Sequence, residues 1–352
     1  LAAETELETA LQGLNYQLLG VTQEKPAIQI NNVEIDLEEA YASWQKPLEN
    51  IFCTVQKQET GGEKPPVIPD RHAGRGSALK PRQTVARPRV LIPVFPGTNG
   101  EDDAARAFTR AGALVDTLVI SNLSPAALEQ SRLEMARRME AAQIFMLSGG
   151  FSDGGEPDSA AKLMVAILRD PRIEEAVLKL LEQRDGLILG ICNGFQALVK
   201  LGLLPTGEFS APGAPRLVTL TMNQNGRYLS RLVQTRVVST LSPWFSNVTA
   251  GELHTVAISH GEGRFVAGEK VLAELIAGGQ VATQYADFEG NPSYESSFNP
   301  NGSQAAIEGI TSPDGRILGR MAHPDRMGPH VALNIPGDKM PRLFEAGVNY
   351  FR

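Results

Sequence analysis

Gly186-Leu187-Ile188-Leu189-Gly190-Ile191-Cys192-Asn193-Gly194-Phe195-Gln196 runs six apolar residues without a break into a cysteine. An uninterrupted apolar run of this length, opened by a glycine, predicts a strand buried on both faces, as in a parallel sheet. Residues 193–201 then read as a helix. Cys192 therefore sits at the corner between strand and helix, the nucleophile-elbow arrangement with sulfur in place of oxygen. Gly190 and Gly194 leave room for a sharp turn beside the nucleophile. The helix N-terminus stabilises a thiolate, and the N–H of Asn193 is a candidate oxyanion donor. The same spacing also suits a buried structural cysteine in a tight turn.

Working outward, the apolar runs 89–94, 113–120 and 143–147 alternate with amphipathic stretches 101–112 and 125–142, the latter opened by Pro125. One or two helices are expected over 159–184, around Pro171. This β-α rhythm predicts an α/β fold with a mostly parallel sheet and flanking helices. Beyond residue 215 the alternation weakens. Strands are expected at 217–221, 231–240, 254–259 and 280–285. A hairpin is expected from 305–310 and 316–321 around Thr311-Ser312-Pro313-Asp314-Gly315, and a last helix at 339–350.

The 352 residues exceed one small domain. Residues 1–56 hold a helical pattern around Leu37, Tyr41 and Trp44 but too little apolar surface to bury alone, so they read as an appendage. Residues 57–88 are rich in Pro and Gly and carry Lys57, Lys64, Arg71, Arg75, Lys80, Arg82 and Arg87. They read as a solvated linker. The net charge of −7 argues against a nucleic-acid surface. No apolar run approaches the ~20 residues of a membrane helix. Two cysteines, Cys53 and Cys192, make no disulfide framework, and a reducing cytoplasm is expected. Cys53 reads as packing. The chain begins at Leu1 rather than Met, and is expected to start inside a longer polypeptide.

A cysteine nucleophile needs a base. His323, in His323-Pro324-Asp325, follows the second strand of the expected hairpin, where an α/β enzyme keeps catalytic side chains. Asp325 is placed to hold its tautomer. The loop Ser148-Gly149-Gly150-Phe151-Ser152 follows a strand, and Gly150 is a candidate second oxyanion donor, or part of a tight turn.

Taken in order, Phe95-Pro96-Gly97-Thr98-Asn99, Ser148-Gly149-Gly150-Phe151-Ser152, Gly190-Ile191-Cys192-Asn193-Gly194-Phe195-Gln196 and His323-Pro324-Asp325 resemble the motifs of class I (triad) glutamine amidotransferases. The expected sheet is then flavodoxin-like. More narrowly, they resemble the glutaminase parts of phosphoribosylformylglycinamidine synthases. Ser259-His260-Gly261-Glu262-Gly263-Arg264 and Asn299-Pro300-Asn301-Gly302-Ser303 are similar to further signatures of that family. The resemblance covers residues 89–352. Residues 36–52 also resemble the tail of the synthetase part in single-chain members.

The resemblance implies that Cys192 attacks the glutamine amide and releases ammonia, with His323 moving the protons and Asp325 completing a triad. It implies Gly150, Phe151, Asn193 and Gln196 at the oxyanion and glutamine site. Asn99, His260, Glu262, Asn301 and Ser303 become candidates for a substrate-side or interdomain surface. The implied partners are glutamine and synthetase domains of the same polypeptide. ATP and Mg are expected in the synthetase portion and no cofactor in this chain, which carries no phosphate-binding glycine motif and no His/Cys spacing for a metal.

Two departures stand out. The family acid is usually Glu, whereas Asp325 is one methylene shorter. Residues 153–158 differ from the commonest form. Glycine-rich segments 151–159 and 260–264 are candidate movable loops. Two other readings stay open: another cysteine hydrolase on the same fold, and a non-catalytic regulatory domain.

Overall fold

Apolar runs bounded by turn formers give the strands, and side chains that cap exposed N–H groups start the helices. Pro125–Met139 begins with Ser124, whose hydroxyl accepts from Ala127 N at 3.1 Å, followed by Pro125 in the first turn. Pro171–Arg184 repeats the device with Asp170 and Pro171, the carboxylate accepting from Arg172 N at 3.0 Å. The computed structural model describes residues 11–15, 17, 19–49, 64–69, 79–151, 161–328, 330–339 and 342–352. Cys53, His72 and loop residues 152–160, with their departure at 153–158, lie outside these.

The chain divides into two units, residues 1–54 and 55–352. In the first, β1 (Ala27–Ile30) and β2 (Val33–Asp36) form an antiparallel hairpin turned at Asn31, whose φ is 55°. Helix Leu37–Glu49 follows at once. Asp36 caps it, accepting from Glu38 N and Glu39 N at 2.8 and 3.0 Å. Tyr41 and Trp44 are 59% and 75% exposed, so within this unit they bury little, as the sequence pattern implied.

The second unit is built on a nine-stranded sheet. Its strands, with two that lie outside it, are β3 (Arg89–Val94), β4 (Leu114–Val119), β5 (Ile144–Leu147), β6 (Leu187–Ile191), β7 (Val218–Met222), β8 (Leu229–Val237), β9 (Leu253–His260), β10 (Glu262–Ala267), β11 (Val281–Ala286), β12 (Ile307–Thr311) and β13 (Ile317–Arg320). The sheet order is β4-β3-β5-β6-β13-β12-β11-β8-β9. The first five strands are mutually parallel. The last four continue the sheet antiparallel. Every residue of β5 and β6 is buried, so both faces are covered. β7 and β10 make a separate antiparallel pair.

Two departures from the sequence reading have clear causes. Residues 260–264 form no exposed turn: only Gly261 separates β9 from β10, and His260, Glu262 and Gly263 are buried. The glycines read as a loop because a β-bulge, at 262–264, also favours glycine. Part of the expected linker is strapped to the unit. Ile68 is buried in its core, and Pro66 O accepts from Gln284 Nε2 at 3.1 Å. A single buried isoleucine has no periodicity to betray it.

The antiparallel wing curls back on itself. His323, three residues beyond β13, bridges Ala257 on β9, its N–H donating to Ala257 O at 2.8 Å. The first and last of five consecutive strands are thus joined. A second small core of Val233, Val256, Ile258, Tyr285, Ala306 and Ala322 fills the curl.

Candidate active site

Four motifs far apart in sequence meet because β3, β5, β6 and β13 are consecutive neighbours in the parallel half, and all four motifs follow C-terminal strand ends. In open α/β sheets this is the edge where sites form. Arg320 pairs with Ile191 in register, and Cys192 N donates to Arg320 O at 2.7 Å. The nucleophile and the histidine therefore leave adjoining strands side by side.

Cys192 is buried and has φ 53° and ψ −106°, a left-handed conformation that a cysteine adopts only under constraint. Helix Asn193–Leu201 begins immediately after it. A Cβ on Gly194 would collide with Leu147 O, so the elbow closes only with glycine there. Cys192 Sγ lies 3.7 Å from Ser259 O, a contact from the curled β9 that the sequence does not announce.

His323 and Asp325 are fully buried, with Nδ1 3.3 Å from Oδ1. The pair is an ion-pair contact without the angle of a formed hydrogen bond. Such contacts tighten when substrate binds. Burial alone would push the ring down, but the negative charges of Asp325 and Cys192 outweigh it and hold His323 up to about 9. Below that pH the ring is an imidazolium facing a carboxylate and a sulfur.

Gly149 lies against both reactive groups. A Cβ there would stand 2.6 Å from His323 Cε1 and 3.4 Å from Cys192 Cβ. The next residue bridges Thr98: Gly149 O accepts from Asn99 N at 3.1 Å, and Phe151 N donates to Gly97 O at 2.7 Å. The N–H of Gly150 is not one of the bridge bonds, and it joins the helix N-terminus at Asn193 as an oxyanion donor candidate. Phe151 is 42% exposed and its ring lies 5.9 Å from that of Tyr228, whose hydroxyl is 2.6 Å from Ser259 Oγ. Tyr228, in no motif, is a site neighbour that sequence reasoning missed, and Ser259, though it opens the 259–264 signature, was not among the candidate site residues. Both come from the antiparallel wing.

The remaining candidates separate. Asn99 is at the rim, its Oδ1 accepting from Arg326 Nη2 at 3.1 Å. Gln196 is not a free glutamine-binding group, because its Oε1 accepts from Asn193 Nδ2 at 3.0 Å and its Nε2 donates to Glu262 O at 2.6 Å. It ties the nucleophile's helix to β10. Glu262 is buried, and its backbone carbonyl is the group so used.

Asn301 and Ser303 are fully buried and form no substrate-side surface. Asn301 Nδ2 donates to Gly263 O at 2.9 Å and to Tyr285 Oη at 3.0 Å. Ser303 Oγ accepts from Phe265 N at 3.0 Å. The turn propensity of 299–303 is real, but its polar groups are spent on β10, on Tyr285 of β11 and within the turn itself.

His260 is buried beside the site. Asn223 Nδ2 donates to Arg227 O and His260 O, both at 2.8 Å, which leaves Asn223 Oδ1 to accept from His260 Nδ1 at 3.0 Å. Burial, helped by the charge on His323, pushes His260 down to about 3, so it is neutral with the proton on Nδ1. Among the described residues, Glu252, His254 and Asp338 bring possible metal-ligand atoms within 4.8 Å. His254 is already paired there with Glu252 Oε1 at 3.1 Å.

The arrangement holds a sulfur nucleophile, an imidazolium, a carboxylate and a strand-end glycine loop, the parts needed for acyl transfer through a thioester. The family described as "CobB/CobQ-like glutamine amidotransferase domain" matches residues 87–351. The phosphoribosylformylglycinamidine synthase subunit PurQ of Methanococcus maripaludis is 35% identical over 75% of this chain and 95% of its own length. That of Rhodospirillum rubrum is 37% identical over 67% of this chain and 89% of its own. The PurLQS structure from Thermotoga maritima superposes with a TM-score of 0.54 at 24% identity, covering 76% of this chain and 100% of that one, a likeness of fold. The chain belongs to the CobB/CobQ-like glutamine amidotransferase family and is a relative of the PurQ subunits.

Proposed function

We infer that the chain is the glutaminase part of a phosphoribosylformylglycinamidine synthase, hydrolysing glutamine and supplying ammonia for purine biosynthesis. The observation that carries this is Cys192 in a strained elbow beside the buried His323–Asp325 pair, in a chain 35% identical to PurQ over nearly the whole of that subunit.

In the reading, Cys192 sulfur attacks the side-chain carbonyl carbon of glutamine. The C=O electrons move onto oxygen, which the N–H groups of Gly150 and Asn193 receive. The C–N bond then breaks as His323 gives its proton to the leaving nitrogen, releasing ammonia and a glutamyl thioester. Water attacks the thioester while His323 takes its proton, and glutamate leaves as the Cys192 thiolate is restored. Asp325 steadies the imidazolium throughout.

The partner of this reading is a synthetase portion that uses ATP and Mg to turn formylglycinamide ribonucleotide into its amidine. We place residues 1–56 as the tail of that portion in a single-chain enzyme. Supporting this, the family match begins only at residue 87, and residues 1–54 form their own unit. As it is a purine-biosynthesis enzyme in this reading, we place it in the cytoplasm. Among the described residues no helix is long and apolar enough to cross a membrane.

The test is ammonia release from glutamine, with labelling of Cys192 by a glutamine-like electrophile. Cys192→Ser should abolish glutamine-dependent amidine formation in the complete synthase and leave the ammonium-dependent reaction intact. Retention of glutamine use by the Ser variant would falsify the assignment.

A further inference from the structure

We propose that Glu308, neutralised by Arg320, is a positioning residue that sets the place of His323 relative to Cys192; the proposal rests on the glutaminase reading. Both side chains are fully buried, 2.9 Å apart, inside the curl of the antiparallel wing. Four strands converge on the pair. Glu308 is on β12 and Arg320 on β13. Thr283 on β11 donates its hydroxyl to Glu308 Oε2, and Arg320 Nη2 donates to Thr235 Oγ1 on β8 at 3.2 Å.

The pair is poorly explained as a source of stability. Two buried charges lose their hydration, and an apolar pair of similar volume usually serves as well or better. One guanidinium nitrogen, Nη1, has no partner among the described residues. What the pair does hold is the backbone that carries the reacting groups. Beyond β13 the chain leaves β12 for β9. Met321 N still donates to Glu308 O at 3.3 Å, and His323 N already donates to Ala257 O at 2.8 Å. Between them the N–H of Ala322 is served by Glu308 Oε1, at 2.7 Å. The carboxylate thus stands in for a strand partner at the residue before the histidine. The same Arg320 whose side chain neutralises Glu308 offers its backbone carbonyl to Cys192 N at 2.7 Å. One ion pair therefore fixes the segments bearing both the base and the nucleophile, and touches no reacting atom itself.

The experiment compares two double variants with the wild-type chain. Glu308→Leu/Arg320→Met removes the charges and the acceptor for Ala322 N–H. Glu308→Gln/Arg320→Met removes the charges but keeps an acceptor oxygen. For the first, kcat for glutamine should fall at least ~10-fold with KM within ~2-fold. Alkylation of Cys192 by iodoacetamide should shift in its pH profile, and Tm should be no lower than wild type. The Gln variant should recover kcat to within ~3-fold of wild type. Equal kcat in the Leu/Met and wild-type chains, or equal loss in both variants, overturns the proposal. Should the Leu/Met chain not fold, amide exchange in the wild type decides: the Ala322 amide should be as protected as the strand amides of β13, and loop-like exchange overturns the proposal. An inactive wild-type chain would instead strike at the glutaminase reading.

Discussion

Asp325→Asn isolates the charge that holds the catalytic histidine. The carboxylate oxygen is 3.3 Å from His323 Nδ1, both fully buried. At an effective dielectric of ~20, unit charges at that distance attract by about 5 kcal/mol. Removing one neighbouring charge typically moves a titration by ~1–3 pH units. The asparagine has nearly the same shape and keeps an oxygen, so about two pH units is the expected change. His323, held up to about 9 in the native site, should then lose its proton near pH 7. The imidazolium is needed to protonate the departing ammonia, so the alkaline limb of kcat should move down by the same amount.

At pH 8.5 the Asn variant should therefore turn over glutamine roughly 25-fold more slowly, and at pH 6.5 nearly as fast as wild type. KM should move by less than ~2-fold, because Asp325 touches the histidine and not the substrate in the proposed chemistry. Coupled measurement of glutamate production between pH 6 and 9.5 gives both limbs. An unchanged alkaline limb with unchanged turnover would show that another group holds His323 and that Asp325 does not take the place of the family's glutamate.

Gly149→Ala should lower kcat by roughly 10-fold or more, because the new methyl would stand 2.6 Å from His323 Cε1 and the buried ring must shift; wild-type turnover in a folded Ala variant would refute the crowding argument. Stability should peak near pH 6.5. His260, pushed by burial down to about 3, resists protonation that the unfolded chain accepts, so stability is lost as pH falls below 6.5. His323, raised to about 9, holds a proton the unfolded chain releases, so stability is lost as pH rises from 6.5 through 9. His260→Asn should flatten part of the acid limb of Tm against pH, with His254, also held down by burial, supplying the rest; an acid limb unchanged by the substitution would count against a neutral buried His260.

Residues 186–201 determined their own local fold. A short apolar run opened by a glycine favours a buried strand, and the two glycines around Cys192 leave room for an elbow that a Cβ at either would crowd. The helix start at Pro125 and the hairpin turn at 311–315 were legible for the same reason: each acts within a few residues of itself. The nucleophile, the histidine and the strand-end loop were therefore readable as parts, and their order along the chain carried the family resemblance. Their assembly was decided elsewhere. Cys192 and His323 meet because β13 pairs in parallel with β6, a hydrogen-bonded choice spanning more than a hundred residues.

The curl that brings Ser259 to the sulfur and Ala257 to the histidine depends on the twist and register of five strands, and no short segment encodes it. The same holds for polar residues. Asn301, Ser303 and Gln196 look alike in sequence whether they face a substrate or a neighbouring backbone. Only the packed structure shows that their hydrogen-bonding groups are already spent. The two buried histidines part the same way: burial and the charge on His323 keep His260 neutral, whereas for His323 the charges of Asp325 and Cys192 outweigh burial. Sequence determines which groups are available, but the free energy of each depends on neighbours that arrive only when the sheet closes.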